Sequence, residues 1–426
     1  MSIKLLDLIN SGLCLGCGTC VAICPVNAIN LIQNSKKGLY LPTIDLNSCI
    51  KCNKCIECCP GNEVNFKILS NFIFGDENFQ DIIKCYVGFS NNHNIRNNSS
   101  SGGMITELLL YMLEKKIIDG AIVTRFKSDN PLEPEPFIAR SKEEIINASK
   151  SKYCPVPTNL SLKQVLNGNP NEKYAFVGLP CHIHGLRKAQ LKNPALRNSI
   201  IITFSLMCSH VDSFHYIDFI VNKLNIDEKN IKKLEFRGRG WPGTLLIEDD
   251  RTIQEIEYND YIQPHKFSLF TPKRCLFCFD GIGLLADVAF GDAWNLGGND
   301  KIGTNLCVVR TPLGNKIIKD AELNRNITIK NADLSDVKEA QKPLFIDKVQ
   351  FCNFVLGFYK KFKFRIPYYS PSNYFSDKTI MKKRYFLKFF VITMNRKILA
   401  KKIFWRNNDE ILKFEEKMMK FFWEKQ

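Results

Sequence analysis

Two cysteine runs dominate the first sixty residues. One reads "CLGCGTCVAICP", with thiols at Cys14, Cys17, Cys20 and Cys24 before Pro25; the other reads "CIKCNKCIECCP", with thiols at Cys49, Cys52, Cys55 and Cys59 before Pro60. Cys58 is a spare inside the last gap of the second run. Disulfides are the simplest reading of so many thiols, and the sequence argues against them. The chain has 17 cysteines in 426 residues, an odd number not confined to a small stapled domain. Its start, "MSIKLLDLINSG", lacks the basic region and long apolar region of a secretory signal. These features predict a reducing, cytoplasmic setting, where clustered thiols bind metal or carry electrons.

Zinc sites usually draw two pairs of ligands separated by a spacer. Each run here instead has three cysteines at steps of three, then a fourth followed by proline. That is the run of bacterial ferredoxins, in which three thiolates cap one cubane and the fourth crosses to the other. The pattern assigns Cys14, Cys17, Cys20 and Cys59 to one [4Fe-4S] cluster, and Cys49, Cys52, Cys55 and Cys24 to a second. Gly16, Gly18 and Ala22 suit a backbone that wraps closely around sulfur and offers it N–H donors. Residues 1–66 are therefore expected to form a ferredoxin-like module held together by metal more than by a hydrophobic core.

The rest of the chain needs a fold of its own, and 45% hydrophobic residues can supply its core. The net charge of +16 is unevenly spread. Residues 349–426 hold 18 Lys or Arg against 6 Asp or Glu, and 20 of the 48 aromatic residues. Residues 346–426 thus read as a basic, aromatic, helical tail, suited to an acidic redox partner such as ferredoxin or to peripheral contact with the inner face of a membrane. No zinc-finger, RNA-recognition or helix-turn-helix signature accompanies the charge, so nucleic acid is not an expected partner. The longest apolar stretches, "FFVITM" and "GLLADVAF", are too short to span a bilayer.

Between module and tail, residues 67–85 read as a connector. Ser99–Gly103 forms a small polar loop before a helix over 104–116, with apolar residues at helical spacing, and the strand "AIVTRF" follows. A loop of this kind at a helix start favours anions. "YAFVGLPCHIHGLRKAQ" reads as buried strand, tight turn and helix, and "SIIITFSLMCSH" as another buried strand ending at Cys208. Cys181, Cys208, Cys275 and Cys278 all occupy loops or strand ends, where open α/β sheets bind ligands. The Cys275-x-x-Cys278 pair needs two further ligands, and Cys181 and Cys208 are the best placed. Cys85, Cys154, Cys307 and Cys352 read as small core hydrophobes. "HIH" at 182–184 has no partner motif and reads as structural or surface. Neither a G-x-G-x-x-G after a strand nor a P-loop is present.

The ordered set "SSSGGMITELLLYMLEKKIIDGAIV", "SKYCP", "FVGLPCHIHGLRK", "SLMCSH", "CLFC", "VAFGDAW" and "GTNLCVVRTPLGNKII" resembles the coenzyme F-420 hydrogenase/dehydrogenase beta-subunit family, with a ferredoxin module fused in front. The resemblance covers about residues 1–320. It implies an α+β protein: a 2[4Fe-4S] module at 1–66, a flavin-binding core whose two parts span 67–175 and 176–345, and the tail. It also implies FAD, with Ser101, Gly102 and Gly103 near its phosphates and Lys152 nearby, and a third [4Fe-4S] cluster on Cys181, Cys208, Cys275 and Cys278. The implied function is an iron–sulfur flavoprotein oxidoreductase that passes electrons from a ferredoxin-type donor to FAD and a reducible small-molecule or glycan-related substrate. Two alternatives accompany it: an electron-transfer or glycan-assembly accessory subunit, and a subunit of a dehydrogenase using the deazaflavin coenzyme. The sequence itself names no catalytic residue. It departs from the family at "GLPCHI", where Thr-Pro-Cys-Gln is common, and at "GDAW", where "GDFW" is frequent.

Overall fold

The computed structural model describes residues 4–78, 80–298, 300–370 and 383–400. In the N-terminal module, β1 (Ile29–Asn34) and β2 (Leu39–Ile44) form an antiparallel hairpin, and β3 (Glu63–Asn65) follows the second cysteine run. The stretch expected to be a simple connector begins with a helix, Phe66–Phe74, because Asn65 caps it with its side chain and Phe66, Leu69 and Ser70 face inward.

The core is built on one eight-stranded mixed sheet. Its strands are β4 (Lys84–Ser90), β5 (Gly120–Phe126), β6 (Pro134–Ala139), β7 (Tyr174–Gly178), β8 (Ile200–Leu206), β12 (Val288–Asp292), β13 (Asn305–Val309) and β14 (Ile327–Asn331). A separate antiparallel meander of β9 (Ile231–Phe236), β10 (Leu245–Asp249) and β11 (Ile253–Ile256) intervenes in the chain before β12. The order across the large sheet is β14-β4-β13-β12-β8-β7-β5-β6. The run from β12 through β8 and β7 to β5 is parallel, with antiparallel strands at both flanks. Residues 67–175 and 176–345 both contribute to this sheet, and the division at 175/176 falls inside β7. The central strands are almost wholly apolar, as expected where both faces are covered. Met104–Glu114 covers one face with Met104, Leu108, Leu109 and Met112; Pro180–Lys192 covers the other with Ile183, Leu186 and Ala189.

The described part of the tail is built into this body. The helix Lys348–Lys361 buries Phe351, Cys352, Phe354 and Val355. The helix Lys383–Ala400 packs on it through Tyr385, Phe389 and Ile392, at helical spacing, in one apolar cluster with Leu8, Leu13 and Ile56 of the module. Phe386 and Phe390 stay half exposed on the opposite face. β15 (Tyr368–Ser370) runs parallel to β3. Residues 371–382 and 401–426 of the expected tail lie outside the described residues.

Candidate redox site

The two cysteine runs fold toward each other, and the fourth thiol of the second joins the first three of the other run. Cys14, Cys17, Cys20 and Cys59 line one small cavity, with Pro60 and Gly61 beside them. Gly16 and Gly18 make the approach possible. Both have positive φ, and a Cβ would meet the Tyr40 carbonyl at 2.8 Å or Leu160 at 2.8 Å. Gly16 also donates its N–H to Cys14 Sγ at 3.4 Å. In the other set, Cys55 feels the charges of Cys52 and Cys49, and Cys24 packs in the same apolar cluster as Cys55. Cys52 is exposed, whereas Cys17 and Cys20 are buried.

Burial, then the neighbouring Cys59, pushes the Cys14 thiol up to about 12. Burial, then Cys17, Cys14, Cys59 and Cys55, raises Cys20 well above its ordinary value. Four thiolates cannot share such a site without positive charge to offset their repulsion and lost hydration, and iron supplies it. Three thiolates from one run and the fourth from the other is the arrangement that holds a cubane.

Cys181, Cys208, Cys275 and Cys278 also converge. Cys181 opens the helix after β7, Cys208 follows β8, and the pair sits in a short helical turn at Lys273–Phe277 and its end. Burial, then Cys208, Cys278 and Cys275, raises the Cys181 thiol well above its ordinary value; burial leads again in bringing Cys208 to about 12. Lys348 Nζ holds this set from the tail side, donating to the Cys208 carbonyl at 2.6 Å and the Asp280 carbonyl at 3.1 Å. Arg274, fully buried, donates to the Pro60 carbonyl at 3.0 Å and so fastens the C-x-x-C segment to the module.

Each set neighbours the next. Cys55 acts on Cys20, and Cys17 acts on Cys181. At the second junction, Asn159 donates to Thr19 Oγ1 at 2.8 Å and to the His182 carbonyl at 3.0 Å, and its N–H donates to the Cys17 carbonyl at 2.9 Å. Gly185 is part of the same fit, since a Cβ there would lie 2.4 Å from Thr19 Oγ1. "HIH" lies within the helix Pro180–Lys192 and is structural: His182 and His184 are buried, and His184 Nε2 meets Asp280 Oδ2 at 2.8 Å. Cys85, Cys154, Cys307 and Cys352 are buried in apolar clusters.

The expected phosphate loop lies at the same edge of the sheet, beside the end of β4 and the start of β13. Ser101 Oγ donates to the Thr304 carbonyl at 2.8 Å. Gly102 packs so tightly that a Cβ would meet Asn305 N and the Gly88 carbonyl at 2.7 Å, and Gly103 takes a positive φ of 76° as the helix cap. Among the described residues, no hydrogen bond engages the N–H groups of Ser100 through Gly103. Four free consecutive donors at a helix start make a fitting cradle for phosphate. Lys152 turns inward: Nζ donates to the carbonyls of Ala148, Ser149 and Lys150 at 2.7, 2.6 and 3.1 Å, and burial lowers it to about 7. The sequence reading missed the cation that holds the loop. Arg237 Nη2 donates to the Ser100 carbonyl at 2.6 Å while its fork faces Asp292 at 3.2–3.3 Å. Trp241 Nε1 also donates to Asp292, at 3.2 Å. The alternating glycines of "FRGRGWPG" were the available signal.

Comparison with known proteins agrees with this arrangement. Residues 85–163 match the model for the N-terminal part, and residues 171–335 that for the C-terminal part, of the coenzyme F420 hydrogenase/dehydrogenase beta subunit. Residues 13–62 match a 4Fe-4S dicluster domain. The beta subunit of coenzyme F420 hydrogenase from Methanothermobacter thermautotrophicus is 30% identical over 239 residues, covering 54% of this chain and 78% of that protein. The chain belongs to the coenzyme F420 hydrogenase/dehydrogenase beta-subunit family. The coenzyme F420-dependent sulfite reductase of Methanocaldococcus jannaschii is 25% identical over 344 residues, 78% of this chain and 49% of that protein. A chain of the F420-reducing [NiFe] hydrogenase complex from Methanosarcina barkeri shares the fold, with a TM-score of 0.50 and 24% identity over 63% of this chain and 90% of that one. This family member is thus an iron–sulfur protein with a dicluster domain, related to oxidoreductase subunits. No described helix is long and apolar enough to cross a membrane.

Proposed function

We propose that this chain is an electron-transferring subunit that exchanges electrons between a redox partner and the deazaflavin coenzyme F420, through three [4Fe-4S] clusters and FAD. The succession of cysteine sets from Cys52 to Cys181 carries this reading. When bound, the clusters supply single-electron transfer and the flavin couples it to hydride exchange with the coenzyme. The chain's residues do the rest. Cys49, Cys52, Cys55 and Cys24 form the exposed end, where Lys51, Lys54 and Ile50 stand outward and suit an acidic protein such as a ferredoxin. Cys14, Cys17, Cys20 and Cys59 form the buried middle. Cys181, Cys208, Cys275 and Cys278 form the inner end, at the carboxyl edge of β7 and β8. The loop Ser100–Gly103, held by Arg237, takes the flavin phosphates. The relatives' functions favour the deazaflavin coenzyme over a glycan-related substrate.

The test is anaerobic exchange of electrons between F420 and a viologen dye by the purified, cluster-loaded chain. The reading expects reduced dye to bleach the visible absorbance of F420, and reduced F420 to colour oxidised dye. Unchanged F420 with protein that holds its iron and flavin would contradict it.

A further inference from the structure

The loop after β8 carries a second group of ligating side chains that the cysteine sets do not use. His210 and Asp212 lie on this loop, and His265 lies in the short helix Gln263–Lys266. Each offers a ligand atom, and these atoms lie within 4.8 Å of one another, the only such trio of His, Cys, Asp or Glu among the described residues. The two imidazoles stack with centroids 4.3 Å apart. His265 Nδ1 meets Asp212 Oδ2 at 2.6 Å.

The other half of the trio is unfinished. His210 Nε2 and Asp212 Oδ1 face each other at 3.7 Å, beyond hydrogen-bonding reach, and neither has a hydrogen-bond partner among the described residues. Asp212 is wholly buried. A buried carboxylate oxygen and a buried ring nitrogen without partners are costly, and proteins rarely keep both. An ion bonded to each at about 2.0–2.2 Å would hold them about 3–4 Å apart, which is the gap observed. Ser209 Oγ lies 3.2 Å from His210 Nδ1, so that nitrogen is engaged and Nε2 is left as the ligating atom.

We propose that His210, Asp212 and His265 bind a divalent transition-metal ion of the zinc or ferrous class, distinct from the iron–sulfur ligands. Two imidazoles and one carboxylate suit zinc or iron(II) and are poor for calcium or magnesium. Three protein ligands leave one position open to water or another ligand. The site ties the loop that carries Cys208 to the segment packed under the β9–β11 meander.

The experiment adds Zn2+ to the full, cluster-loaded chain under anaerobic conditions, removes unbound metal and measures zinc and iron together. The proposal expects one bound zinc per chain with unchanged iron, and an X-ray absorption spectrum with nitrogen and oxygen neighbours at about 2.0–2.1 Å and no sulfur at about 2.3 Å. His265→Gln and Asp212→Asn each lower zinc affinity at least about tenfold while iron and the visible spectrum stay as they were. If Asp212→Asn fails to fold, His265→Gln decides alone, since its ring is partly exposed. No stably bound zinc, zinc with sulfur neighbours, or zinc held equally by His265→Gln would overturn the site.

Discussion

Thr19 of the ferredoxin-like module and Asn159 of the core are joined by a 2.8 Å hydrogen bond at the point where Cys17 comes within the field of Cys181. Asn159 spends its side-chain N–H groups on Thr19 and on the carbonyl of His182, next to Cys181. Asn159→Ala therefore removes two side-chain hydrogen bonds that join the module to the core, a loss of about 1–3 kcal/mol at the junction. The expected outcome is full iron content with slower reduction of the core set after the module is reduced, read by rapid mixing. Unchanged rates would show that Asn159 does not hold the two parts in register.

Lys348 sets the charge at the inner cysteine set. Burial opposes its charge, but Cys278, Cys208, Cys275 and Asp280 hold the ammonium above its ordinary range. Lys348→Met removes a cation beside these sulfurs, so the cluster proposed on them becomes harder to reduce. A fall on the order of 60 mV, a tenfold change in a one-electron equilibrium, is the expected scale. Redox titration followed by electron paramagnetic resonance measures it. A potential that stays put or rises would place the cluster away from Lys348.

Arg237 holds the loop proposed to take the flavin phosphates. Arg237→Ala removes its bond to the Ser100 carbonyl and leaves the half-buried Asp292 without its ion pair, at a cost of about 1–3 kcal/mol. Flavin per chain is expected to drop several-fold while iron per chain stays constant. Equal flavin retention in the variant would move the flavin site elsewhere.

Lys152 predicts a pH effect on stability. Burial lowers its ammonium to about 7, below the value near 10.4 of an unfolded chain. Between these values the unfolded state holds a proton that the native state has released, so this group makes stability rise with pH from about 7 to about 10. Denaturant midpoints at pH 7, 8 and 9 should rise more in the wild type than in Lys152→Met. Parallel profiles would mean that Lys152 is charged in the folded protein.

The sequence was most informative where chemistry imposes spacing. The crossed pattern of the eight N-terminal cysteines needs a fixed three-residue step, and the cavity lined by Cys14, Cys17, Cys20 and Cys59 follows that step. The strands ending near Cys181 and Cys208 were legible because their apolar runs are continuous and short. Three features were not. Phe66–Phe74 was hidden in a stretch whose polar residues resemble a linker. Tyr385, Phe389 and Ile392 form the buried face of a helix whose other face, with Phe386 and Phe390, is also apolar, so no single stripe stood out. Arg237 and Asp292 lie 55 positions apart, and only the folded sheet brings them to the Ser100 carbonyl.

The succession of cysteine sets is tested most directly at its inner end. Cys181→Ser removes one thiolate from the set proposed to link the module to the flavin and leaves the eight N-terminal cysteines untouched. Reduced F420 should then still reduce the flavin, while electrons no longer reach the N-terminal clusters, monitored by flavin absorbance and by electron paramagnetic resonance in the same sample. Reduction of the N-terminal clusters at the wild-type rate in Cys181→Ser would contradict the relay.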